Sequence, residues 1–211
     1  VDAIERLGAT VRKVPFAEWW KAILAHDVPG EPGAFVHPGA DAAVMAGNGT
    51  IALEILEDLP DVDAILVPYG SGGLSCGIAC AARAVRPDVR VYAVELEGRA
   101  PLSAALAAGG PTTIDYTASF VDGMGGQSVL EEMWPLARAM LAGPLCVTLN
   151  QVGGALRLVA QRTRVIAEGA GAAPVAAALA HDLGVRRVAC IVSGGNIDMA
   201  VLSTILLGGM P

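Results

Sequence analysis

Apolar positions along the chain follow two alternating patterns, and that alternation predicts the architecture. Short runs rich in β-branched residues predict strands at residues 10–14, 34–37, 64–67, 89–95, 145–149 and 188–192. Between them apolar residues recur at helical spacing, predicting helices at 1–7, 16–25, 50–59, 74–85, 100–108, 129–141, 152–167 and 172–182, with a last one from 196. Helices that regularly separate short strands imply an α/β fold, an open, mostly parallel sheet with helices on both faces. Binding sites in such sheets form at the carboxyl ends of the strands. The Gly/Pro-rich stretch 28–33 reads as a linker.

Composition narrows the class. The 211 residues are 54% hydrophobic, enough for one large domain or a domain and a half with a real core. Lys and Arg number 14 against 21 Asp and Glu, a net charge of −7 with no basic stripe, so nucleic acid is not an expected partner. The mean hydropathy of +0.54 comes from alanine and valine, and Gly, Pro or charge cuts every apolar stretch short of the ~18 residues a membrane span needs. A soluble protein with no membrane span is expected. Cys76, Cys80, Cys146 and Cys190 lie in apolar segments without paired-motif spacing. Cys76 and Cys80 share a helical face, half of a metal site, but no histidine or second pair answers them. Buried thiols in a reducing cytoplasm are the expectation. His26, His37 and His181 are scattered and give no histidine-centred site.

Two strand ends carry candidate chemistry. Gly70-Ser71-Gly72-Gly73 lies between the strand at 64–67 and the helix that begins near Leu74. Glycines let successive N–H groups converge, and a helix start adds partial positive charge, so a phosphate-like anion is the expected guest. Ser193-Gly194-Gly195-Asn196 repeats the arrangement after the strand at 188–192. A serine nucleophile elbow does not fit the first turn, because Tyr69 stands two before Ser71 where a small residue belongs. A dinucleotide site has Glu95 at about the right strand end, but Ser75 replaces the third glycine of its fingerprint.

The segment "HPGADAAVMAGNGTIALEILEDLPDVDAILVPYGSGGLSCGIACAARAVRPDVRVYAVE" resembles the centre of the serine/threonine dehydratase family, enzymes of the tryptophan-synthase-β fold (fold type II) that use pyridoxal 5'-phosphate. "VIAEGAGAAPVAAAL" and "CIVSGGNID" resemble two further blocks in the same order. The resemblance implies that Gly70, Ser71, Gly72, Gly73 and the Leu74 N–H cradle the cofactor phosphate, where the family usually shows four glycines. Ser71 is a departure, tolerable if its φ is ordinary. Ser193 matches the partner of the pyridine nitrogen; a neutral hydroxyl makes the ring a weaker electron sink, which suits β-elimination. Gly123 and Glu168 match positions lining the pocket, with a plain helix-end charge as the other reading of Glu168. Glu95 matches the first carboxylate of a cation site in some relatives, but its companion position is Arg99 or Pro101, so no metal is expected. As a strand-end acid, Glu95 is then expected in solvent.

The family's Schiff-base lysine motif and its Ser-Ser-Gly-Asn-His block are absent, and the only lysines, Lys13 and Lys21, read as surface residues. The expectation is therefore a chain whose catalytic residue is unknown, with residues 1–40 the remnant of a smaller domain and 41–211 the large cofactor domain. A missing N-terminal segment or second polypeptide would complete it, and the resemblance implies a homo-oligomer, a dimer. The implied reaction is an ammonia-lyase converting a small β-hydroxy amino acid to a 2-oxo acid and ammonia. A non-catalytic subunit that binds a phosphate ligand and a racemase of the same family stay open as alternatives.

Overall fold

A computed structural model describes residues 1–211, the side chain of Phe16 excepted. The chain divides into two units, Val1–His37 and Pro38–Pro211. The first contains helices α1 (Asp2–Arg6) and α2 (Phe16–Ala25). The strands expected at 10–14 and 34–37 do not form; both segments are irregular backbone. Neither segment has a neighbouring strand to bond, and an extended segment is a strand only when its N–H and C=O groups pair.

The second unit runs α3 (Ala42–Asp58), β1 (Ala64–Pro68), α4 (Gly73–Val85), β2 (Arg90–Leu96), α5 (Pro101–Ala108), α6 (Trp134–Met140), β3 (Gly143–Val147), α7 (Leu149–Thr163), α8 (Gly169–Ala180), β4 (Val188–Cys190) and α9 (Met199–Leu206). Its four strands are all parallel in the order β3-β2-β1-β4, so the expected open parallel sheet is present. All five residues of β1 are buried. Alternation divides them between two cores: Ala64 and Leu66 pack with α7, α8 and α9 on one face, while Ile65 and Val67 pack with α3 and α4 on the other. Each fully buried aliphatic side chain contributes ~1.5–3 kcal/mol, which makes this central strand the anchor of both layers. The edges are blunt, since β4 has three residues and β3 carries Pro144, which has no N–H to offer.

Local chemistry explains where element ends differ from the periodicity. α3 starts eight residues before the expected 50 because the Asp41 carboxylate accepts the N–H groups of Ala43 and Val44 and caps it. α6 starts only at Trp134, with Pro135 in the first turn, where a missing N–H costs nothing. Among the described residues no helix is long and apolar enough to cross a membrane.

α3 and α4 meet through glycine. A methyl group on Gly77 would sit 2.4 Å from the Met45 carbonyl oxygen, and one on Gly49 would sit 3.1 Å from the Gly77 oxygen. The two backbones therefore approach more closely than any side chain permits, and this sets Asn48 beside the start of α4. Gly77→Ala is expected to destabilise the protein by ~1–3 kcal/mol, measured as a lowered midpoint in thermal or denaturant unfolding.

Candidate functional site

The turn from β1 into α4 is built by one glycine. Gly72, the N-cap of α4, takes φ +97°, while Ser71 keeps an ordinary φ and carries its side chain without strain. The first bond inside α4 runs from the Cys76 N–H to the Gly72 oxygen at 2.8 Å, and no side chain caps the helix. The earlier N–H groups of the turn are thus left for a ligand, with no acidic residue in the first turn to oppose an anion. Ser71 presses on Gly39, where a methyl group would lie 2.5 Å from both Cβ and Oγ of the serine. Gly73 packs on the same stretch of backbone, where a Cβ would stand 2.8 Å from the carbonyl oxygens of Pro38 and Gly39.

The turn after β4 is tight for a different reason. Gly194 and Gly195 have no positive φ; they are small because other backbone comes close. A Cβ on Gly195 would stand 2.4 Å from the Ile166 oxygen, and one on Gly171 would stand 2.7 Å from the Gly194 oxygen. The Glu168 N–H donates to the Gly194 oxygen at 2.9 Å, joining this turn to the start of α8. Glu168 occupies the N-cap position of α8, yet its side chain does not cap the helix. Its carboxylate lies instead between two glycines, with Oε1 3.1 Å from a Cβ built on Gly123 and 2.5 Å from one built on Gly194.

A cavity of about 280 Å³ opens between these turns, lined by Gly70, Ser71, Gly72, Leu74, Gly123, Glu168 and Ser193 together with Pro38, Asn48, Pro68 and Ser75. Of the eight residues that the resemblance assigns to the cofactor, Gly73 alone is not part of the lining, and Gly194, Gly195 and Asn196 of the second turn also lie outside it. Asn48 and Ser75 were not foreseen. Asn48 had a faint signal, a polar residue between Gly47 and Gly49 inside an apolar helix; Ser75 stands where a dinucleotide fingerprint would need glycine. The uncapped start of α4, the uncrowded Gly70 position and the neutral hydroxyls suit a phosphate-bearing ligand.

Glu168 titrates above the usual carboxylate range because burial disfavours its charge and Asp122 repels it, against a stabilising hydrogen bond from the Asn196 N–H. It is a group able to hold a proton near the cavity. Glu95 corrects the sequence reading: it is fully buried, not solvated. Its Oε1 accepts the Leu102 N–H at 2.7 Å, and Oε2 accepts the Ser103 N–H at 2.9 Å and the Ser103 hydroxyl at 2.6 Å, so it caps α5. Burial pushes it up while these donors pull it down. The four cysteines are free thiols. Cys76 is buried and the others half-buried, and burial pushes Cys76 up to about 12 and Cys190 up to about 11, which leaves them poor nucleophiles. Lys13 and Lys21 are exposed, as expected.

The family model described as "Pyridoxal-phosphate dependent enzyme" matches residues 1–194. The chain is 36% identical over 177 residues to an L-threonine ammonia-lyase of Thermotoga maritima, covering 83% of this chain and 44% of that protein. It is 32% identical over 211 residues to a serine racemase of Oryza sativa, covering 96% of this chain and 62% of the relative. Among solved structures, maize serine racemase superposes with a TM-score of 0.76 at 31% identity, over 83% of this chain and 56% of that one. A pyridoxal 5'-phosphate-dependent aspartate racemase superposes with a TM-score of 0.81 at 29% identity, over 95% of this chain and 63% of its own. The chain thus spans about half of the length of the threonine ammonia-lyases it matches.

Two outcomes test the geometry. Gly39→Ala is expected to destabilise the protein by forcing the new methyl onto Ser71, and adding Ser71→Gly is expected to restore most of the loss, read as unfolding midpoints of the two variants and their combination. Because Glu168 has a raised folded-state value, the folded protein holds its proton more tightly than the unfolded chain, so stability falls as pH rises from the ordinary glutamate range through the raised value. Glu168→Gln is expected to flatten that part of the curve of melting temperature against pH.

Proposed function

The chain belongs to the pyridoxal-phosphate dependent enzymes, and from that premise we propose that it is the larger part of a threonine/serine dehydratase-type ammonia-lyase. The observation that carries this reading is the convergence of two strand-end turns and Glu168 on one cavity beside the uncapped start of α4. The N–H groups of residues 70–74 would hold the cofactor phosphate, and Ser193 would meet the ring nitrogen. Bound pyridoxal phosphate supplies an electron sink for charge developed at the α-carbon of an amino acid.

The chain's own residues do the rest. The partial positive charge of the α4 start orients the phosphate end. Ser193 offers a neutral hydroxyl, which does not compel the ring nitrogen to hold a proton as a carboxylate would, and this favours elimination of a β-hydroxyl. Glu168, half-buried and repelled by Asp122, can hold a proton on a carboxyl oxygen at the cavity wall. Lys13 and Lys21 lie in the first unit, which we read as part of a smaller domain, and their context does not suit covalent attachment of the cofactor. We assign that lysine to a segment of the full-length protein outside these residues. A cytoplasmic homo-oligomer using a small β-hydroxy amino acid completes the reading.

The racemases among the relatives favour a second reading, amino-acid racemisation. One experiment separates them: the full-length protein, supplied with cofactor, is incubated with L-serine and L-threonine. Formation of 2-oxo acid and ammonia in equal amounts is the expected result. D-amino acid without 2-oxo acid would establish the racemase, and neither product, with no cofactor retained after borohydride treatment, would leave a non-catalytic phosphate-binding chain.

A further inference from the structure

Arg99 is 2% exposed, a cation taken almost wholly out of water. Such burial costs several kcal/mol unless hydrogen bonds replace hydration, and here every replacement comes from one segment. Nη1 donates to the Ser119 hydroxyl at 3.0 Å and to the Val121 carbonyl at 2.7 Å. Nη2 donates to the Met124 carbonyl at 3.3 Å and to the Tyr116 hydroxyl, and the guanidinium carbon stands 4.0 Å from the Tyr116 ring centre. None of these partners is a carboxylate. The planar fork is used for shape, gathering acceptors that a point charge could not reach together.

The gathered segment is the one that meets the cavity. Gly123 lines it, with the Glu168 carboxylate and Ala170 packed where its side chain would be. Val121 fills the space beside Gly169, whose Cβ would lie 2.8 Å from Val121 Cγ2. The Gly125 N–H donates to the Tyr69 carbonyl at 2.8 Å, tying the same segment to the turn before α4. Asp122 is the charge within this stretch that acts on Glu168; the Asn196 N–H is the opposing donor, and Ser71 and Ser193 share the cavity as neutral groups.

We propose that Arg99 is a positioning residue of the candidate site, whose guanidinium holds residues 119–124 in the arrangement that sets Asp122 and Gly123 against Glu168. Arg99 does not itself act on Glu168; it governs how closely a second acid and how much water approach it. The inference rests on the ligand site proposed above.

The sign of one shift distinguishes this role from a direct charge effect. Removing a cation that acted through space would raise the Glu168 titration midpoint, whereas releasing Asp122 and admitting water lowers it. In the full-length protein labelled with 13C at glutamate carboxyls, the Glu168 resonance is identified by its loss in Glu168→Gln and followed against pH. Arg99→Met is expected to lower the midpoint by about half a pH unit or more, and Arg99→Lys, which keeps charge without the fork, is expected to lower it also. A midpoint unchanged or raised in folded Arg99→Met overturns the inference. Should that variant not fold, Ser119→Ala and Tyr116→Phe each remove one partner and are expected to give smaller downward shifts; no shift in either overturns it equally. Pyridoxal phosphate binding by the unsubstituted protein is measured alongside. Normal binding with an unmoved midpoint defeats this inference alone, while absence of binding defeats the ligand site and the positioning role with it.

Discussion

Close approach of backbone to backbone at the carboxyl edge of the sheet is the constraint on which the rest depends. Gly73 lies against the Pro38 and Gly39 carbonyls, Gly171 against Gly194, and Gly195 against Ile166, each with less room than a Cβ requires. These contacts draw α3, α4, α8 and the turn after β4 around one small space. Any larger residue there would push apart the walls of the cavity, so these glycines set its width through close approach and not through flexibility.

Within that frame the electrostatics are divided by side. The α4 start presents unshared N–H groups and no acid, an environment for an anion. Across the cavity Glu168 meets burial and Asp122, which both resist its ionisation. A ligand bearing phosphate at one end and a reacting centre at the other would meet donors first and a proton-holding carboxyl second. The buried ions outside the cavity serve the scaffold: Glu95 is consumed by the start of α5, and Arg99 by the segment that carries Gly123.

The sheet was legible because parallel strands buried on both faces read as continuous apolar runs, as residues 64–67 do. Residues 10–14 and 34–37, short stretches with valine but interrupted by Arg12, Lys13 and His37, are not strands, because pattern records burial preference and cannot show whether a pairing neighbour exists. Both turns of the candidate site were visible as glycine clusters at strand ends. Their physical reasons were not: one glycine of the first turn needs positive φ, and those of the second need space. Glu95 was misjudged because its partners are N–H groups of a helix seven residues on, a relation that depends on how the chain turns back. Asn48 and Arg99 carried little signal for the same reason, since their neighbours lie far away in sequence.

The two outer strands have a bearing on how the molecule behaves in company. An edge strand is a template for an incoming one, and its strength as a template grows with the number of free N–H and C=O groups it can present in register. β4 offers only three residues before the chain turns away at Ser193, and Pro144 interrupts the ladder β3 could extend. Each side therefore offers an incoming strand few consecutive bonds, which makes both margins of this four-stranded sheet poor templates.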